Sequence, residues 1–191
     1  MNAYNICLLP GDGIGPEVIT AARMVLEALP IQINFTSAAI GFAAWQQCGS
    51  SLPDETLKEI QSANASLFGA VTTPPDIPNY RSPVLRMRQV LDLYANLRPC
   101  RSIPHPVSRP GIDLLVVREN TEDLYIGKEH LEDDGDTAIG EMRITRRASE
   151  RIARAAFTQA RLRGLTKVTV VHKANVLRQT SGLFRRTALT V

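Results

Sequence analysis

The hydrophobic and polar positions in the first half of the chain follow two alternating periods. Short apolar runs and a segment that alternates apolar with polar residues are typical of strands, whereas apolar residues at intervals of three and four are typical of helices. The pattern predicts three strands, at residues 4–9, 31–35 and 65–71, and two helices, at residues 16–26 and 54–60. Strands that alternate with helices favour a parallel sheet and an α/β fold over a sandwich or a helical bundle.

Prolines interrupt the pattern in two places. Residues 72–83 hold four prolines and are predicted to form a loop, and the last of them, Pro83, can begin a helix that runs toward residue 93. A second proline-rich stretch, residues 99–110, precedes a predicted strand at residues 112–117. We predict that the chain passes from a first domain, residues 1–99, to a second domain, residues 100–191, near this stretch.

The pattern becomes helical again toward the end of the chain. Residues 128–140 are acidic and polar and are predicted to form an exposed excursion. Thr145 is the predicted N-cap of an amphipathic helix over residues 146–162, whose arginines we interpret as a solvated basic face. Gly164 then ends the helix, and the β-branched residues 168–171 predict a strand.

Composition narrows the class of protein. The chain has 191 residues, 44% of them hydrophobic, so it can bury one large core or two smaller ones. Its 22 basic and 19 acidic residues nearly cancel and leave a formal charge of +3. A net charge this small gives no support for a nucleic-acid partner. Three dispersed cysteines, no leader-like start and no long apolar run predict a cytoplasmic protein without disulfides or a membrane anchor.

The glycine-rich turn at residues 11–15 suggests a phosphate-binding loop, because it lies between a predicted strand and a predicted helix. Its spacing is GxGxG, however, whereas the dinucleotide-binding fingerprint is GxGxxG. The following predicted strand also lacks a carboxylate that could bind a ribose hydroxyl. We therefore interpret these glycines as a tight structural turn.

Four longer motifs carry a resemblance to a known family. They are LLPGDGIGPEV at residues 8–18, LYANLRP at 93–99, VRENTEDLY at 117–125 and HKANVL at 172–177. In this order and at these spacings, the motifs resemble the β-decarboxylating dehydrogenases, which comprise the isocitrate, homoisocitrate and isopropylmalate dehydrogenases. The resemblance implies an isopropylmalate dehydrogenase-like fold, with residues 1–99 in the nucleotide-side domain and residues 100–191 in the substrate and dimer domain.

The resemblance also implies site residues. Arg88, Arg98 and Arg118 match the guanidinium groups that bind substrate carboxylates, and arginine's planar fork suits that role. Tyr125 matches the general acid near the departing carboxylate, and Lys173 matches the group that takes the hydroxyl proton. A lysine does this near neutral pH only when burial or neighbouring positive charge lowers its pKa. Thr72, Thr73 and Asn175 match positions that contact the nicotinamide nucleotide.

Substrate, cofactor and partner follow from the same resemblance. Ser82, followed by a proline and two aliphatic residues, looks most like homoisocitrate dehydrogenase, with isocitrate as the nearest alternative. We expect NAD, with NADP possible, and a homodimer in which Lys173 reaches the partner's site. Mg²⁺ or Mn²⁺ is also expected for the family, although the family's main metal-binding aspartates would lie beyond Val191. We therefore expect a fold that is incomplete at the C-terminus, and the alternative function is an inactive fragment that only dimerises or binds carboxylates.

Overall fold

The computed structural model describes residues 3–78 and 80–191 of the chain. These residues form two compact units, Met1–Val90 and Leu91–Val191. This division comes nine residues before the predicted domain boundary, and the assignment of residues 1–99 and 100–191 to two domains stays a prediction. Within the described ranges, no helix combines the length and the apolar character needed to cross a membrane.

The first unit is a parallel sheet with helices, as the sequence predicted. Its three strands lie in the order β2-β1-β3, and β1 pairs in parallel with both neighbours. Cys7 and Leu9 of β1 are completely buried, as is Leu52 on the connection that precedes the third helix. The elements are β1 (Tyr4–Gly11), α1 (Gly15–Glu27), β2 (Ile33–Ser37), α2 (Phe42–Cys48), α3 (Asp54–Ser62), β3 (Ala65–Ala70) and α4 (Pro83–Val90).

Local sequence explains most of these elements. Pro16 lies in the first turn of α1, where its missing N–H is not needed, and Asp54 and Glu55 place negative charge at the N-terminus of α3. The helix α2 was not predicted. It has seven residues, and its N-cap is Gly41, whose φ of 96° only glycine adopts readily. Two turns offered too little periodicity to detect.

The second unit contains two small antiparallel pairs of strands and two helices. The elements are β4 (Ala95–Arg101), β5 (Asp113–Glu119), β6 (Glu129–Glu132), β7 (Thr137–Gly140), α5 (Arg146–Leu162) and α6 (Thr180–Thr190). The helix α5 has the predicted bounds, and the Thr145 side chain caps it by accepting a hydrogen bond from Ala148 N at 3.2 Å. Residues 128–140 are exposed as predicted, except for the half-buried Thr137, but they fold into the β6–β7 hairpin.

Two predictions for the second unit were wrong. The proline-rich stretch at residues 99–110 was expected only to separate the helix after Pro83 from the next strand, yet it begins inside β4, where Pro99 is paired with Leu115 of β5. Residues 168–171 were expected to form a strand, yet they are irregular and pair with no described strand. A cavity of about 970 Å³ lies beside them, lined in part by Leu115 and Val117 of β5 and by Val168 and Val170. A strand forms only where its backbone pairs with a neighbour, and residues 168–171 have no such partner among the described strands.

Candidate functional site

The glycine turn of the first unit is packed against the end of β3. Gly11 has a φ of +75°, and a Cβ atom there would overlap the carbonyl oxygen of Ala70. A Cβ atom on Gly15 would overlap the carbonyl oxygen of Pro10. These glycines permit backbone segments to approach one another, which confirms the interpretation as a structural turn.

Asp12 connects the glycine turn to two other segments of the first unit. Its Oδ2 atom accepts hydrogen bonds from the backbone N–H of Phe42 at 2.8 Å and of Thr72 at 2.8 Å. Its Oδ1 atom accepts from the N–H of Ala43 at 2.9 Å. One carboxylate therefore satisfies two free N–H groups at the start of α2 and orients the loop after β3.

The predicted nucleotide-binding residues Thr72 and Thr73 lie on that loop, and both are exposed. Asp12 binds the N–H of Thr72, and the hydroxyl of Tyr80 donates to its carbonyl oxygen at 2.9 Å. Burial and, secondarily, the charge of Asp12 raise the pKa of the Tyr80 phenol above its ordinary value. Side chains therefore hold both backbone groups of Thr72, and the two threonine side chains are left on the surface, where a nucleotide could reach them.

Ser82 and Arg88, predicted to bind substrate, lie at opposite ends of α4 in the first unit. The Ser82 carbonyl accepts from Arg86 N at 3.2 Å at the start of the helix, where Pro83 is fully buried. Ser51 Oγ donates to the carbonyl of Arg81 at 2.6 Å and fixes the chain just before Ser82. Arg88 is half-buried in the last turn of α4.

Arg98 and Arg118, the other predicted carboxylate-binding residues, share one face of the β4–β5 pair. Asn96 of β4 lies opposite Arg118 of β5, and Arg98 follows two residues after Asn96. Side chains at opposite positions and at intervals of two point to the same face of a sheet, so all three belong to one surface. Arg98 Nε also donates to Asn96 Oδ1 at 3.3 Å.

Tyr125 is joined directly to Arg118. Arg118 Nη2 donates to the phenol oxygen at 2.7 Å, and the guanidinium carbon lies 5.4 Å from the centre of the tyrosine ring. Tyr125 sits in a short 3₁₀ turn, Leu124–Ile126, between Asp123 and Gly127, which both have positive φ. The structure thus brings two predicted site residues together and places a third, Arg98, on the same face as Arg118.

Lys173 and Asn175 follow the irregular segment of the second unit and are exposed. The Lys173 carbonyl accepts from the N–H of Val176 at 3.0 Å and of Leu177 at 2.8 Å, which forms a compact turn. The Ala174 N–H donates to His172 Nδ1 at 3.1 Å. The burial that we expected around Lys173 is not present in the single chain.

Asp12 and Arg151 are two organising residues that the sequence analysis missed. We had interpreted the arginines of α5 as a solvated face, but only 19% of the Arg151 side chain is exposed. A signal for Arg151 was present, because it follows the buried Ala148 by three residues on the same helical face. Asp12 gave no such signal, since its three partners are backbone groups that come together only in the fold.

The metal expected from the family resemblance does not fit the residues described. Within residues 3–78 and 80–191, no three or more His, Cys, Asp or Glu side chains lie close enough together to hold an ion. Divalent magnesium and manganese require several oxygen ligands.

Comparison with known proteins identifies the family. Residues 5–191 match the isocitrate/isopropylmalate dehydrogenase family. The isocitrate/homoisocitrate dehydrogenase of Thermus thermophilus is 48% identical over 99% of this chain and 56% of its own length. The 3-isopropylmalate dehydrogenase of Methanothermobacter thermautotrophicus is 44% identical over 97% of this chain and 54% of its own length.

A solved structure agrees with these sequence matches. The isocitrate dehydrogenase from Methylococcus capsulatus superposes with a TM-score of 0.89 at 42% identity, over 98% of this chain and 56% of that chain. This chain therefore spans about half the length of the relatives that it matches. The four motifs, the parallel α/β unit and the match over nearly every residue lead to one conclusion: the chain belongs to the isocitrate/isopropylmalate dehydrogenase family.

Proposed function

We propose that this chain supplies residues of a β-decarboxylating dehydrogenase that oxidises a 2-hydroxy di- or tricarboxylic acid with a nicotinamide nucleotide. The observation that best supports this proposal is the Arg118–Tyr125 pair, with Arg98 on the same face of the β4–β5 sheet. Fixed guanidinium groups suit a substrate with several carboxylates. A phenol beside them suits a reaction in which a carboxylate leaves and a proton must be supplied.

In the proposed reaction, Lys173 takes the proton of the substrate hydroxyl while hydride leaves the carbon that bears it. A bound nicotinamide would supply the hydride acceptor. The bond to the β-carboxylate then breaks, carbon dioxide leaves, and the electron pair of that bond forms an enolate. Tyr125 donates a proton to the carbon that lost the carboxylate, which gives the 2-oxo acid product. Arg88, Arg98 and Arg118 bind the carboxylates, and Thr72, Thr73 and Asn175 contact the nucleotide.

Homoisocitrate is the substrate that we favour, and isocitrate is the second. Ser82 is followed by Pro83 and by the aliphatic residues Val84 and Leu85. Aliphatic side chains next to a serine suit the longer carbon chain of homoisocitrate better than polar side chains at the same positions would. A relative that shares 48% identity is named for both of these acids, which supports the two candidates equally. We propose NAD as the nucleotide.

The direct test measures nucleotide reduction with homoisocitrate, isocitrate and isopropylmalate in the presence of magnesium. Among the described residues, no three or more His, Cys, Asp or Glu side chains lie together as a metal site. We therefore expect turnover only when this chain is combined with the remaining part of the Thermus thermophilus relative. Homoisocitrate should then react fastest. Tyr125→Phe should lower kcat by about 100-fold, as expected for loss of a general acid.

The matched control for that variant is Tyr4→Phe, which removes the hydroxyl of an exposed tyrosine on β1 and should leave kcat unchanged. If the combined protein folds but reduces no nucleotide with any of the three acids, the dehydrogenase proposal is wrong. Binding of the acids without turnover would instead favour the alternative, a carboxylate-binding fragment.

We also propose that the working enzyme is a homodimer in which Lys173 serves the partner's site. The exposure of Lys173 in the single chain supports this proposal. Mixing the Lys173→Ala and Tyr125→Phe forms of the combined protein tests it, because each mixed dimer would have one site with neither substitution. Random mixing should restore about a quarter of the wild-type activity, since half of the dimers are mixed. No recovery, with mixed dimers demonstrated by native mass spectrometry, would contradict the shared site.

A further inference from the structure

Arg151 of α5 contacts four side chains of the second unit. Its Nη1 atom donates to both carboxylate oxygens of Asp92, at 2.7 and 2.9 Å. Its Nη2 atom donates to Glu119 Oε1 at 3.1 Å and to Thr121 Oγ1 at 2.7 Å. The guanidinium carbon also lies 4.3 Å from the centre of the Tyr94 ring. Such a set of contacts fixes both the position and the plane of the guanidinium group.

The partners of Arg151 lie at the ends of the two strands that hold the candidate arginines. Asp92 and Tyr94 precede β4, which contains Arg98. Glu119 is the last residue of β5, immediately after Arg118. One arginine therefore connects the start of β4 to the end of β5. Arg118 is the neighbouring residue at that end of β5.

Glu119 extends this connection toward Tyr125. Its carboxylate accepts from the N–H of Thr121 at 2.7 Å, from Thr121 Oγ1 at 2.6 Å and from the N–H of Glu122 at 2.9 Å. These bonds hold the backbone turn that leads from β5 to the 3₁₀ turn of Tyr125. Removing Arg151 would leave the Glu119 carboxylate without its cation and Asp92 with only Arg147 Nη2, at 4.0 Å, and the weaker balance of charge would loosen that turn.

Arg151 stays positively charged over the accessible pH range. Burial alone lowers the pKa of this guanidinium, but hydrogen bonds to Asp92 and Glu119 and their negative charges raise it above its ordinary value. A lysine could not replace it fully, because an ammonium is a point charge and cannot address two carboxylates in one plane.

We propose that Arg151 is a positioning residue for substrate recognition, acting by fixing the Arg118–Tyr125 pair through Asp92 and Glu119. This inference rests on the proposed function, because it assigns the supported surface to carboxylate binding. Arg151 itself contacts the strand ends and does not touch the substrate. A residue that holds contacting groups from behind determines how well they are preorganised.

The test uses the full chain and isocitrate as the probe. The dissociation constant is measured by calorimetry, and the Arg118 Nε–H and Tyr125 ring signals are followed by NMR in isotope-labelled protein. Arg151→Met should shift both signals and raise the dissociation constant for isocitrate about tenfold, and Arg151→Lys should give a smaller change in the same direction. Arg154→Met is the matched control, because Arg154 is on the same helix, is 64% exposed and pairs with Glu150 one turn away. It should change neither quantity.

Several outcomes would decide whether Arg151 positions the Arg118–Tyr125 pair. A lower melting temperature with unchanged Arg118 and Tyr125 signals would mean that Arg151 is only structural, which overturns the proposal. Shifted signals with unchanged isocitrate affinity would overturn it as well. If Arg151→Met does not fold, the signals and affinity of Arg151→Lys decide. If the wild-type chain binds no isocitrate, the proposed function fails for this chain, while the signals still show whether Arg151 fixes the pair.

Discussion

The two units of the chain hold their candidate residues in physically different ways. In the first unit, backbone segments approach closely at Gly11, and the N–H of Thr72 donates to the Asp12 carboxylate, which also accepts from the N–H groups of Phe42 and Ala43. In the second unit, the residues around Arg118 are fixed by a set of opposite charges centred on Arg151. The first arrangement depends on volume, so a single methyl group should break it. The second depends on charge, so it should tolerate small changes in shape.

The largest effect should come from Gly15→Ala. The added methyl group would meet the carbonyl oxygen of Pro10, which the backbone cannot move without disrupting β1. We expect a loss of about 3 kcal/mol or more in the free energy of unfolding. Urea unfolding followed by the fluorescence of Trp45, the only tryptophan of the chain, would measure it in the first unit.

Gly13→Ala provides the control from the same turn. Gly13 has a φ of +56°, but a Cβ atom there would have no neighbour within 4 Å. It should cost only about 1–2 kcal/mol, the usual penalty of a left-handed residue. Equal losses in the two variants would contradict the dependence on volume.

The next effect tests the carboxylate of the first unit. Asp12→Ala removes the acceptor of three N–H groups, two of them at the start of α2. We expect a loss of about 2–3 kcal/mol in unfolding free energy, because bonds to a charged group are worth more than neutral ones. Asp12→Asn keeps the size but faces N–H groups with its own N–H₂, so it should recover only part of the loss. Full stability in Asp12→Asn would show that volume alone matters here.

A smaller effect is expected at the start of α5 in the second unit. Thr145 caps the helix, and both its N–H and its hydroxyl donate to Glu122, at 2.7 and 2.6 Å. Thr145→Ala should lower the free energy of unfolding by about 1–2 kcal/mol, as measured by circular dichroism during urea unfolding. Thr158→Ala, at an exposed position within the same helix, should be neutral or slightly stabilising. A loss of the same size at both positions would argue against a specific cap.

The smallest effect concerns the ionisation of Tyr80. Burial and the charge of Asp12 raise its pKa, so the neutral phenol stabilises the fold below its ordinary pKa, and this contribution disappears as pH rises through the folded pKa. Asp12→Asn should lower the pKa of Tyr80 but leave it above the ordinary value, since burial remains. Ultraviolet titration of each protein, with a Tyr80→Phe variant as the blank, would measure the change. An unchanged pKa would contradict the role of Asp12.

Sequence patterns predicted the elements whose burial is one-sided or complete. The bounds of α5 were predicted correctly because its apolar stripe is unbroken and Thr145 marks its start. The strands β1 and β3 were predicted because they are apolar runs between turns. In contrast, the residues of β6 are all exposed, so no alternation was available to indicate a strand.

The candidate site was predictable only as far as motif resemblance extends. Arg98, Arg118 and Tyr125 were named from motifs, and the structure places the first two on one face and joins the last two by a hydrogen bond. The roles of these residues stay predictions. The strand β4 could not be predicted from its sequence because proline usually interrupts a strand, although Pro99 is tolerated here at a sheet edge. The support from Arg151 could not be deduced, since its hydrogen-bond partners lie 30 to 59 positions away in sequence.

The hydrogen bond from Arg118 to Tyr125 determines which way the hydroxyl hydrogen of the phenol points. The phenol oxygen already accepts from Nη2 at 2.7 Å, so the hydroxyl hydrogen must turn away from the cation. A guanidinium has no lone pair that could accept this hydrogen, so the neighbour that orients the tyrosine can never take its proton. If Tyr125 donates a proton as proposed, that proton therefore leaves on the side of the hydroxyl that faces away from Arg118.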